Sequence, residues 1–444
     1  MNIKSIFKIF FVNAFLIFIF FNSAHAKVYI ELSAPTVKRL PIAIQEFRYG
    51  APMAMPAPSP ALETQKTIKT ELYDALAGDL SFSKLFTFIK KEAFLEDASE
   101  KGVNFANWRA SGADALIKGE FTIEGDRLIV DVRLYDCVNE REILAKRYVG
   151  GLTNPRRLAH YFADQIYEEL TGKKGIFTTK ILFVSPKSGF KEIYISDYDG
   201  RNTRQITRNK SINLTPQWSP DGKKILYTSY KKGWPCLYLF DLQTGLDLAV
   251  SDKPGINMGG RFSPDGKSLA LTLSAEKSPE LFLLNLASKE YKKLTDNYAV
   301  DVSPTWSPDG KRIAYMSDTS GNPHIFMLEL VSGNTKRMTF DGKYNASPAW
   351  SPDGKRITYA RMEGNEFNIW IKSADSPSAE AQQLTFEADN RTPSWSPDGR
   401  YILFNRTTGG VSSLYMMLSD GTGLTKITTG AGMETSPVWS PYLQ

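Results

Sequence analysis

The C-terminal part of the chain repeats one pattern of apolar and polar positions. An aromatic residue followed by Ser-Pro-Asp-Gly recurs along residues 175–444, and the last copy stops after Ser-Pro. Successive aromatic residues are spaced 44, 44, 44, 45 and 44 residues apart, and apolar runs and polar strand ends keep the same step. A fixed period of this length predicts a repeat architecture. The aromatic residues are Trp218, Phe262, Trp306, Trp350, Trp395 and Trp439.

Each unit predicts four short β-strands, which is typical of one propeller blade. In the third unit the strands are predicted at Ser303–Ser307, Arg312–Ser317, His324–Leu330 and Thr335–Thr339, because apolar and polar residues alternate and β-branched and aromatic residues are frequent. Pro and Gly of the Ser-Pro-Asp-Gly string favour a tight turn. We therefore expect each recurring aspartate to be held by its own turn, and each preceding aromatic residue to pack between blades.

The number of copies predicts how the ring closes. The sixth aromatic string has no strands after it, whereas Lys180–Val184, Glu192–Ser196 and Arg204–Thr207 predict three strands of a blade that lacks its innermost one. Ser436–Ser440 supplies the missing strand. Residues 175–444 are therefore predicted to form an all-β six-bladed β-propeller that is closed by the C-terminal strand, which removes exposed sheet edges.

Residues 27–174 predict a separate α+β domain. Helical periodicity, with apolar residues at steps of four, occurs in two segments, and strand-like runs occur in four. His160 lies beside the apolar stripe of the second helix and is expected to be structural. The predicted strands are Val28–Leu32, Ile42–Phe47 and the hairpin Ala115–Phe121 with Leu128–Tyr135; the predicted helices are Leu62–Ala77, ended by Gly78, and a helix opened by Asn154-Pro155 and ended by Gly172.

The first 26 residues have the pattern of a secretory signal. Lys4 and Lys8 precede an uncharged apolar run, and Ala24-His25-Ala26 provides the small residues that signal peptidase requires. Cleavage is expected between Ala26 and Lys27. The alternative, a membrane anchor, needs a longer apolar run. After cleavage we expect no membrane span.

Composition and charge exclude several classes of function. Removal of the signal lowers the net charge from +6 to +4, which is too small and too scattered to indicate nucleic-acid binding. The chain has three histidines, and one of them leaves with the signal. Cys137 and Cys236 are predicted to be separate buried thiols rather than a disulfide. No catalytic residue, cofactor site or metal site is predicted.

The junction between the two parts resembles a known family. Arg157-Leu-Ala-His160, Asp164 and Gly172, followed by the repeats and a Trp-Ser-Pro-Tyr-Leu ending, are similar to the TolB family, the periplasmic components of the Tol-Pal cell-envelope system. The resemblance implies a non-enzymatic adaptor in the periplasm, monomeric outside its complexes, that supports outer-membrane integrity, cell division and protein import. It implies that the propeller binds the peptidoglycan-associated lipoprotein Pal. It also implies that the mature N-terminal segment binds the inner-membrane protein TolA through Lys27, Val28, Tyr29, Ile30, Glu31 and Leu32.

The repeat itself indicates which mouth of the channel would meet a partner. The Ser-Pro-Asp-Gly turns are uniform and line one mouth, whereas the loops before each string differ and crown the other. A face that recognises an asymmetric partner should vary, although relaxed loop drift would produce the same variation. The family often has a histidine where this chain has Ile256. The predicted binding residues are Ile212, Asn213, Ile256, Asn257, Met258, Asp301, Val302, Tyr344, Asn345, Asn390, Arg391, Glu434 and Thr435.

Two other functions and one structural alternative stay open at this level. A hydrolase of the prolyl-peptidase type would need a G-x-S-x-G motif, which the sequence lacks. A propeller that binds a small ligand or metal would have to use carbonyl or isolated aspartate ligands. The segment Lys27–Leu32 can be either a first core strand or a strand that a partner captures by strand addition.

Overall fold

The computed structural model describes residues 30–31, 38–50, 62–98, 100, 102–274, 278–428 and 432–443. These residues form an α+β domain and a six-bladed β-propeller, which confirms the predicted fold class. The predicted signal and its cleavage site lie outside the described residues. The same is true of Lys27–Tyr29, of Leu32 and of the proline-rich segment 51–60.

The N-terminal domain is a mixed sheet with helices on both faces. The strand order is β3-β1-β4-β5-β6, with β2 beside β4; β1 pairs in parallel with β3 and β4, and β4–β6 are antiparallel. Helices α1 and α3 cover one face of the sheet, and Trp108 of α2 packs on the other. The elements are β1 (Leu40–Ile44), β2 (Arg48–Tyr49), α1 (Leu62–Phe82), β3 (Phe86–Phe88), a 3₁₀ turn (Lys91–Ala93), α2 (Phe105–Ala110), β4 (Ala115–Glu124), β5 (Arg127–Asp136), β6 (Arg141–Gly151) and α3 (Pro155–Thr171).

The boundaries of α3 are those that the sequence predicts. The Asn154 side chain accepts a hydrogen bond of 3.2 Å from the backbone N–H of Arg157, and proline occupies the first turn. Gly172 ends the helix with φ 68°, a left-handed conformation that glycine adopts without strain. The hairpin between β4 and β5 also confirms its prediction.

Three predicted boundaries in this domain are wrong. Helix α1 passes through Gly78 and continues to Phe82, because Leu80 extends the buried stripe by one more turn. Strand β1 begins at Leu40 and ends at Ile44, instead of spanning Ile42–Phe47. Ile30 and Glu31 are not in a strand. The Ile30 side chain is buried, and its N–H donates a 2.7 Å hydrogen bond to the carbonyl of Leu170 at the end of α3.

The propeller has six four-stranded antiparallel blades, in which the first strand of each blade borders the central channel. Blade VI combines the last strand with three early ones, as predicted: Trp439 pairs with Ile181 and Thr435 with Val184. The strands are, for blade I, β10 (Asn213–Trp218), β11 (Lys224–Ser229), β12 (Cys236–Asp241) and β13 (Asp247–Ser251); for blade II, β14 (Asn257–Phe262), β15 (Ser268–Leu273), β16 (Glu280–Asn285) and β17 (Tyr291–Lys293); for blade III, β18 (Asp301–Trp306), β19 (Arg312–Ser317), β20 (His324–Glu329) and β21 (Thr335–Arg337); for blade IV, β22 (Asn345–Trp350), β23 (Arg356–Glu363), β24 (Glu366–Ser373) and β25 (Gln382–Gln383); for blade V, β26 (Asp389–Trp395), β27 (Tyr401–Thr408), β28 (Val411–Leu418) and β29 (Thr425–Lys426); and for blade VI, β30 (Thr435–Trp439), β7 (Lys180–Ser185), β8 (Glu192–Asp197) and β9 (Arg204–Gln205).

The repeated string has the two structural roles that the sequence predicts. In the third turn, Ser307 Oγ donates to Asp309 Oδ1, which also accepts from the N–H of Lys311 at 3.0 Å. That carboxylate is therefore occupied by its own turn, and its hydrogen bond from Ser307 lowers the pKa of Asp309. The Trp306 indole donates to the carbonyl of Arg261 in the preceding blade at 3.1 Å. The Trp395 indole makes the equivalent bond to the carbonyl of Ala349 at 3.2 Å, so these two tryptophans fasten neighbouring blades.

The two cysteines are free and buried, as predicted. Cys137 lies beneath α2 with Trp108, and burial raises the pKa of its thiol to about 12. Cys236 begins β12 inside the core shared by blades I and VI.

The N-terminal domain packs against the turn side of blades V and VI. Phe82 at the end of α1 stacks on Tyr401, which follows the turn of blade V, with ring centroids 4.7 Å apart. Asp79 of α1 accepts hydrogen bonds of 2.7 Å from Tyr198 in the β8–β9 hairpin and from His160 of α3. One apolar core is continuous across this contact. The face formed by the variable loops consequently lies on the opposite side of the propeller.

Among the residues that the structure describes, no helix is long and apolar enough to span a membrane.

Candidate functional site: the loop face of the propeller

The candidate site is the face opposite the N-terminal domain, which we call the loop face. It consists of the loops between the second and third strands of each blade and the loops that lead into each innermost strand. Every described innermost strand has a bulge near its start, where the register with the second strand shifts. Serine or threonine has positive φ at this bulge in five blades, and Gly259 replaces it in blade II. The bulge separates the loop face from the channel wall.

Six of the predicted binding residues are buried, and the side chains of all but Glu434 make described hydrogen bonds to the adjacent loop. They occupy equivalent positions at the start of the innermost strands or, in blade VI, immediately before it. The Asn213 side-chain amide reaches Glu192 Oε2 at 2.9 Å, Asn209 Oδ1 at 2.9 Å and the carbonyl of Lys191 at 3.0 Å. An amide enclosed in this way is not accessible to a partner. The geometry therefore argues against direct partner contact at these positions. The six residues are Asn213, Asn257, Asp301, Asn345, Asn390 and Glu434.

The equivalent residues of other blades perform the same task with different partners. Asn257 Oδ1 accepts from Ser251 Oγ at 2.7 Å and from the N–H of Lys253 at 3.0 Å. Asn345 Nδ2 donates to the carbonyl of Asp341 at 2.9 Å and lies 3.1 Å from His324 Nδ1. Burial lowers the pKa of His324, which favours the neutral ring that this contact requires.

The other seven predicted binding residues reach the surface in whole or in part. Three of them, Val302, Tyr344 and Arg391, meet around a pocket of about 490 Å³ between blades III, IV and V. In its lining, the Tyr344 ring packs edge-on against Phe367, and the Arg391 guanidinium lies 4.3 Å from the centre of the same ring. Partner contact stays a prediction for the seven residues, which are Ile212, Ile256, Met258, Val302, Tyr344, Arg391 and Thr435.

The loop face also carries exposed apolar side chains that the sequence reasoning missed. Tyr298 is 89% exposed and Phe386 is 74% exposed, and both lie in loops that lead into innermost strands. The sequence does contain a sign of these residues: a large apolar residue stands within an otherwise polar turn segment, a few residues before the buried Asn or Asp. Exposed apolar side chains that recur around one face are typical of an interaction surface. Among the described residues, those on this face are Phe190, Ile212, Trp234, Tyr298, Phe340, Phe386, Val411 and Met433.

The N-terminal segment is described only at Ile30 and Glu31. Ile30 is buried and is bonded to Leu170, whereas Glu31 is exposed. Lys27, Val28, Tyr29 and Leu32, which the resemblance assigns to TolA binding, lie outside the described residues.

Within the described parts of the chain, no three His, Cys, Asp or Glu side chains are grouped so that they could hold a metal ion. The titratable cluster at the domain contact is built from Asp79, His160 and Tyr198. Burial raises the pKa of Asp79. Burial also opposes charge on His160, but Asp79, together with Asp199 and Asp197, outweighs burial and raises the pKa of His160. This cluster joins the two domains and opens to no described pocket.

The fold and the loop face together define a class of protein: a six-bladed β-propeller with an N-terminal α+β domain and an apolar surface of variable loops. Comparison with known families agrees with both parts. The TolB amino-terminal domain matches residues 28–143, and the TolB beta propeller domain matches residues 167–443. The chain belongs to the TolB family.

Individual relatives agree with this assignment. The Tol-Pal system protein TolB of Geobacter sulfurreducens is 48% identical over 27% of this chain and 27% of its own length. That of Desulfosudis oleivorans is 40% identical over 44% of each chain. The matched stretch thus spans less than half the length of these curated relatives. The crystal structure of TolB from Acinetobacter baumannii covers 93% of this chain and 100% of its own, with 27% identity and a TM-score of 0.77.

Proposed function

We propose that this chain is a non-enzymatic periplasmic adaptor of the Tol-Pal system. In this proposal, the loop face binds a Pal-like outer-membrane lipoprotein, and the mature N-terminal segment binds a TolA-like inner-membrane protein. The chain thereby supports outer-membrane integrity and constriction at cell division. The observation that carries the proposal is the concentration of exposed apolar side chains on the loop face, opposite the N-terminal domain.

The two faces of the propeller differ in the way that this proposal requires. The turn side is occupied by the N-terminal domain at blades V and VI, and its repeated carboxylates are bonded within their own turns. The loop face has no intramolecular covering among the described residues, and its loops differ between blades. An asymmetric set of apolar and aromatic side chains, with Arg391 beside them, has the composition of a protein-binding hot spot.

The names of the relatives support the rest of the proposal. The curated relatives are named Tol-Pal system proteins. The signal pattern of the first 26 residues would place the mature chain outside the cytoplasm. For the N-terminal segment, Ile30 is docked at the end of α3 by its buried side chain and its backbone bond to Leu170, and a docked segment of this kind can be released and captured by a partner.

The lipoprotein-binding half is tested by the double substitution Tyr298→Ser with Phe386→Ser. Both side chains are exposed, so the fold should be unaffected. We expect at least about tenfold weaker binding to the soluble domain of the organism's own Pal-type lipoprotein, measured by calorimetry, because two apolar anchors are lost. Val331→Ser is the matched control, since Val331 is 96% exposed on the turn side. Equal affinity of the double variant and the control would refute the loop-face assignment.

The N-terminal half is tested by deleting residues 27–32 from the mature chain. We expect loss of binding to the organism's TolA-type protein and unchanged binding to the Pal-type lipoprotein. Retained TolA-type binding would contradict this half of the proposal and leave the lipoprotein half intact.

A further inference from the structure

The channel along the propeller axis is a cavity of about 500 Å³ with an almost uncharged wall. The innermost strands of all six blades contribute to it. Its described lining consists mainly of tryptophan rings, prolines and the hydroxyl groups of serine and threonine, such as Ser303, Ser347 and Thr392. Arg261 is the single charged residue in this described lining.

Arg261 occupies a position that is uncharged in every other blade. It lies on β14, one residue before the repeated aromatic position, where the five other blades have neutral side chains. The departure is accompanied by a second one: Gly259-Gly260 replaces the Ser/Thr-Pro pair of the other blades. The equivalent residues are Gln217, Thr305, Ala349, Ser394 and Val438.

The guanidinium of Arg261 lacks a counter-ion among the described residues. Its described hydrogen bond runs from Nη1 to the carbonyl of the adjacent Gly260, at 3.2 Å. Enclosure by the channel, unopposed by any described carboxylate, lowers the pKa of Arg261 to about 10, while the half-buried side chain keeps access to the channel. A guanidinium in an uncharged channel, with no described carboxylate beside it, can pair with an anion that enters the channel. Its planar fork of N–H donors fits two oxygens of a carboxylate or phosphate group.

We propose that the propeller channel is an oxyanion-binding site in which Arg261 binds a small carboxylate or phosphate group. The hydroxyl groups of Ser303 and Ser347 line the channel and have no described hydrogen bond, so they are available as further donors. The wall presents no described carboxylate that would compete with the ligand or repel it. This site lies inside the ring and not on the loop face, so it is independent of the adaptor function proposed above.

The probe for the experiment is inorganic phosphate, titrated by calorimetry into the mature chain at low ionic strength. The test variant is Arg261→Gln, which gives blade II the residue that blade I has at Gln217. We expect phosphate affinity to fall at least about tenfold, as for loss of a charge-assisted bidentate contact. Lys292→Gln is the matched control, because it removes one exposed positive charge outside the channel, and its phosphate affinity should equal that of the wild type. A parallel titration with acetate separates a carboxylate preference from a phosphate preference.

Stability provides a second readout that does not depend on heats of binding. Without an added anion, Arg261→Gln should unfold at a temperature equal to or above that of the wild type, because an uncompensated charge has been removed. Phosphate should raise the unfolding temperature of the wild type more than that of the variant. Arg261→Lys keeps the charge without the fork and should bind phosphate with intermediate affinity. Equal phosphate affinity in the wild type and Arg261→Gln, or no saturable binding of either anion to the wild type, would overturn the proposal.

Discussion

At the scale of single residues, the loop face depends on side chains that are not themselves at the surface. Asn213, Asn257, Asp301, Asn345 and Asn390 are buried, yet the side chain of each bonds to the exposed loop beside it. The sequence shows that these loops vary but not that the polar residue at their end turns inward. Alternation cannot reveal this, because the bulge that follows shifts the register of the strand. The exposed aromatic residues were missed for the converse reason, since an apolar residue in a loop usually predicts burial.

The loop-holding role predicts that Asn213→Ala destabilises the propeller. The substitution leaves Glu192, which is also buried, with one hydrogen-bond donor fewer. It also removes the donor from two backbone carbonyls and one side-chain carbonyl. We expect a loss of about 1–3 kcal/mol in the free energy of unfolding, measured by urea denaturation. Ile212→Ala, next to it and exposed, should change that free energy by less than about 0.5 kcal/mol. Similar free energies of unfolding for the two variants would show that Asn213 does not stabilise the loop.

The buried cluster at the domain contact predicts a dependence of stability on pH. The pKa of His160 is raised above its ordinary value of 6.5 by Asp79, with Asp199 and Asp197 acting in the same direction. The pKa of Asp79 is raised as well, by burial. In both cases the folded state binds protons more tightly than the unfolded state. Their contribution is therefore complete below the unfolded pKa values and is lost as the pH rises through the folded ones.

We expect the free energy of unfolding of the wild type to fall as the pH rises from 6.5 through the folded pKa of His160, by about 1.4 kcal/mol for each unit of the shift in pKa. His160→Gln can still donate to Asp79 but does not titrate, so its stability should change less over this range. Chemical denaturation at a series of pH values measures the difference. Parallel curves for the two proteins would assign the pH dependence to other groups.

At the scale of elements, the period of 44 residues made the blades predictable, whereas single boundary residues were ambiguous. Gly172 and Gly78 are both glycines that follow a helical stripe, but only the first ends its helix. The difference is tertiary: beyond Gly78, Asp79 bonds to His160 and Leu80 is fully buried, so continuing the helix is favoured despite the glycine. The sequence pattern shows the glycine, but it does not show that the residues after it have tertiary contacts.

This contrast predicts opposite effects of alanine at the two glycines. Gly78 is exposed in the interior of α1, and a Cβ atom there would meet nothing within 4 Å. Gly78→Ala should raise the free energy of unfolding by about 0.5–1 kcal/mol. Gly172→Ala should lower it, because φ 68° is strained for alanine. Urea denaturation of both variants provides the comparison, and a destabilised Gly78→Ala would mean that α1 needs the glycine.

At the scale of the whole molecule, closure of the ring and contact between the domains meet at β30. Trp439 on this strand donates from its indole to Thr179 Oγ1 at 2.8 Å and packs against Tyr401. The same core reaches Phe82 of the N-terminal domain. The closing strand was predictable from the count of repeats. The packing of α1 against Tyr401 beside it was not, since nothing in the repeat period identifies which blade the other domain covers.

We expect removal of Met433–Gln444 to abolish cooperative unfolding of the propeller, because β7 then keeps β8 but loses its inner partner, and a sheet edge is opened. A milder variant, Trp439→Ala, should lose about 3–5 kcal/mol by leaving a cavity at this junction. Scanning calorimetry of both variants measures the effect, with the exposed Trp234→Ala as the control. A truncated chain that melts like the full one would contradict the role of β30 in closure.

The pairing of β30 with β7 also constrains the order in which the molecule can be assembled. The two strands are joined at Thr435 and Val184, so about 250 residues separate partners within one sheet. Blades I to V can form as they are synthesised, but the ring stays open until the final strand has been delivered. For a chain that is exported from its N-terminal end, as proposed, the ring can therefore close only after β30 has crossed the membrane.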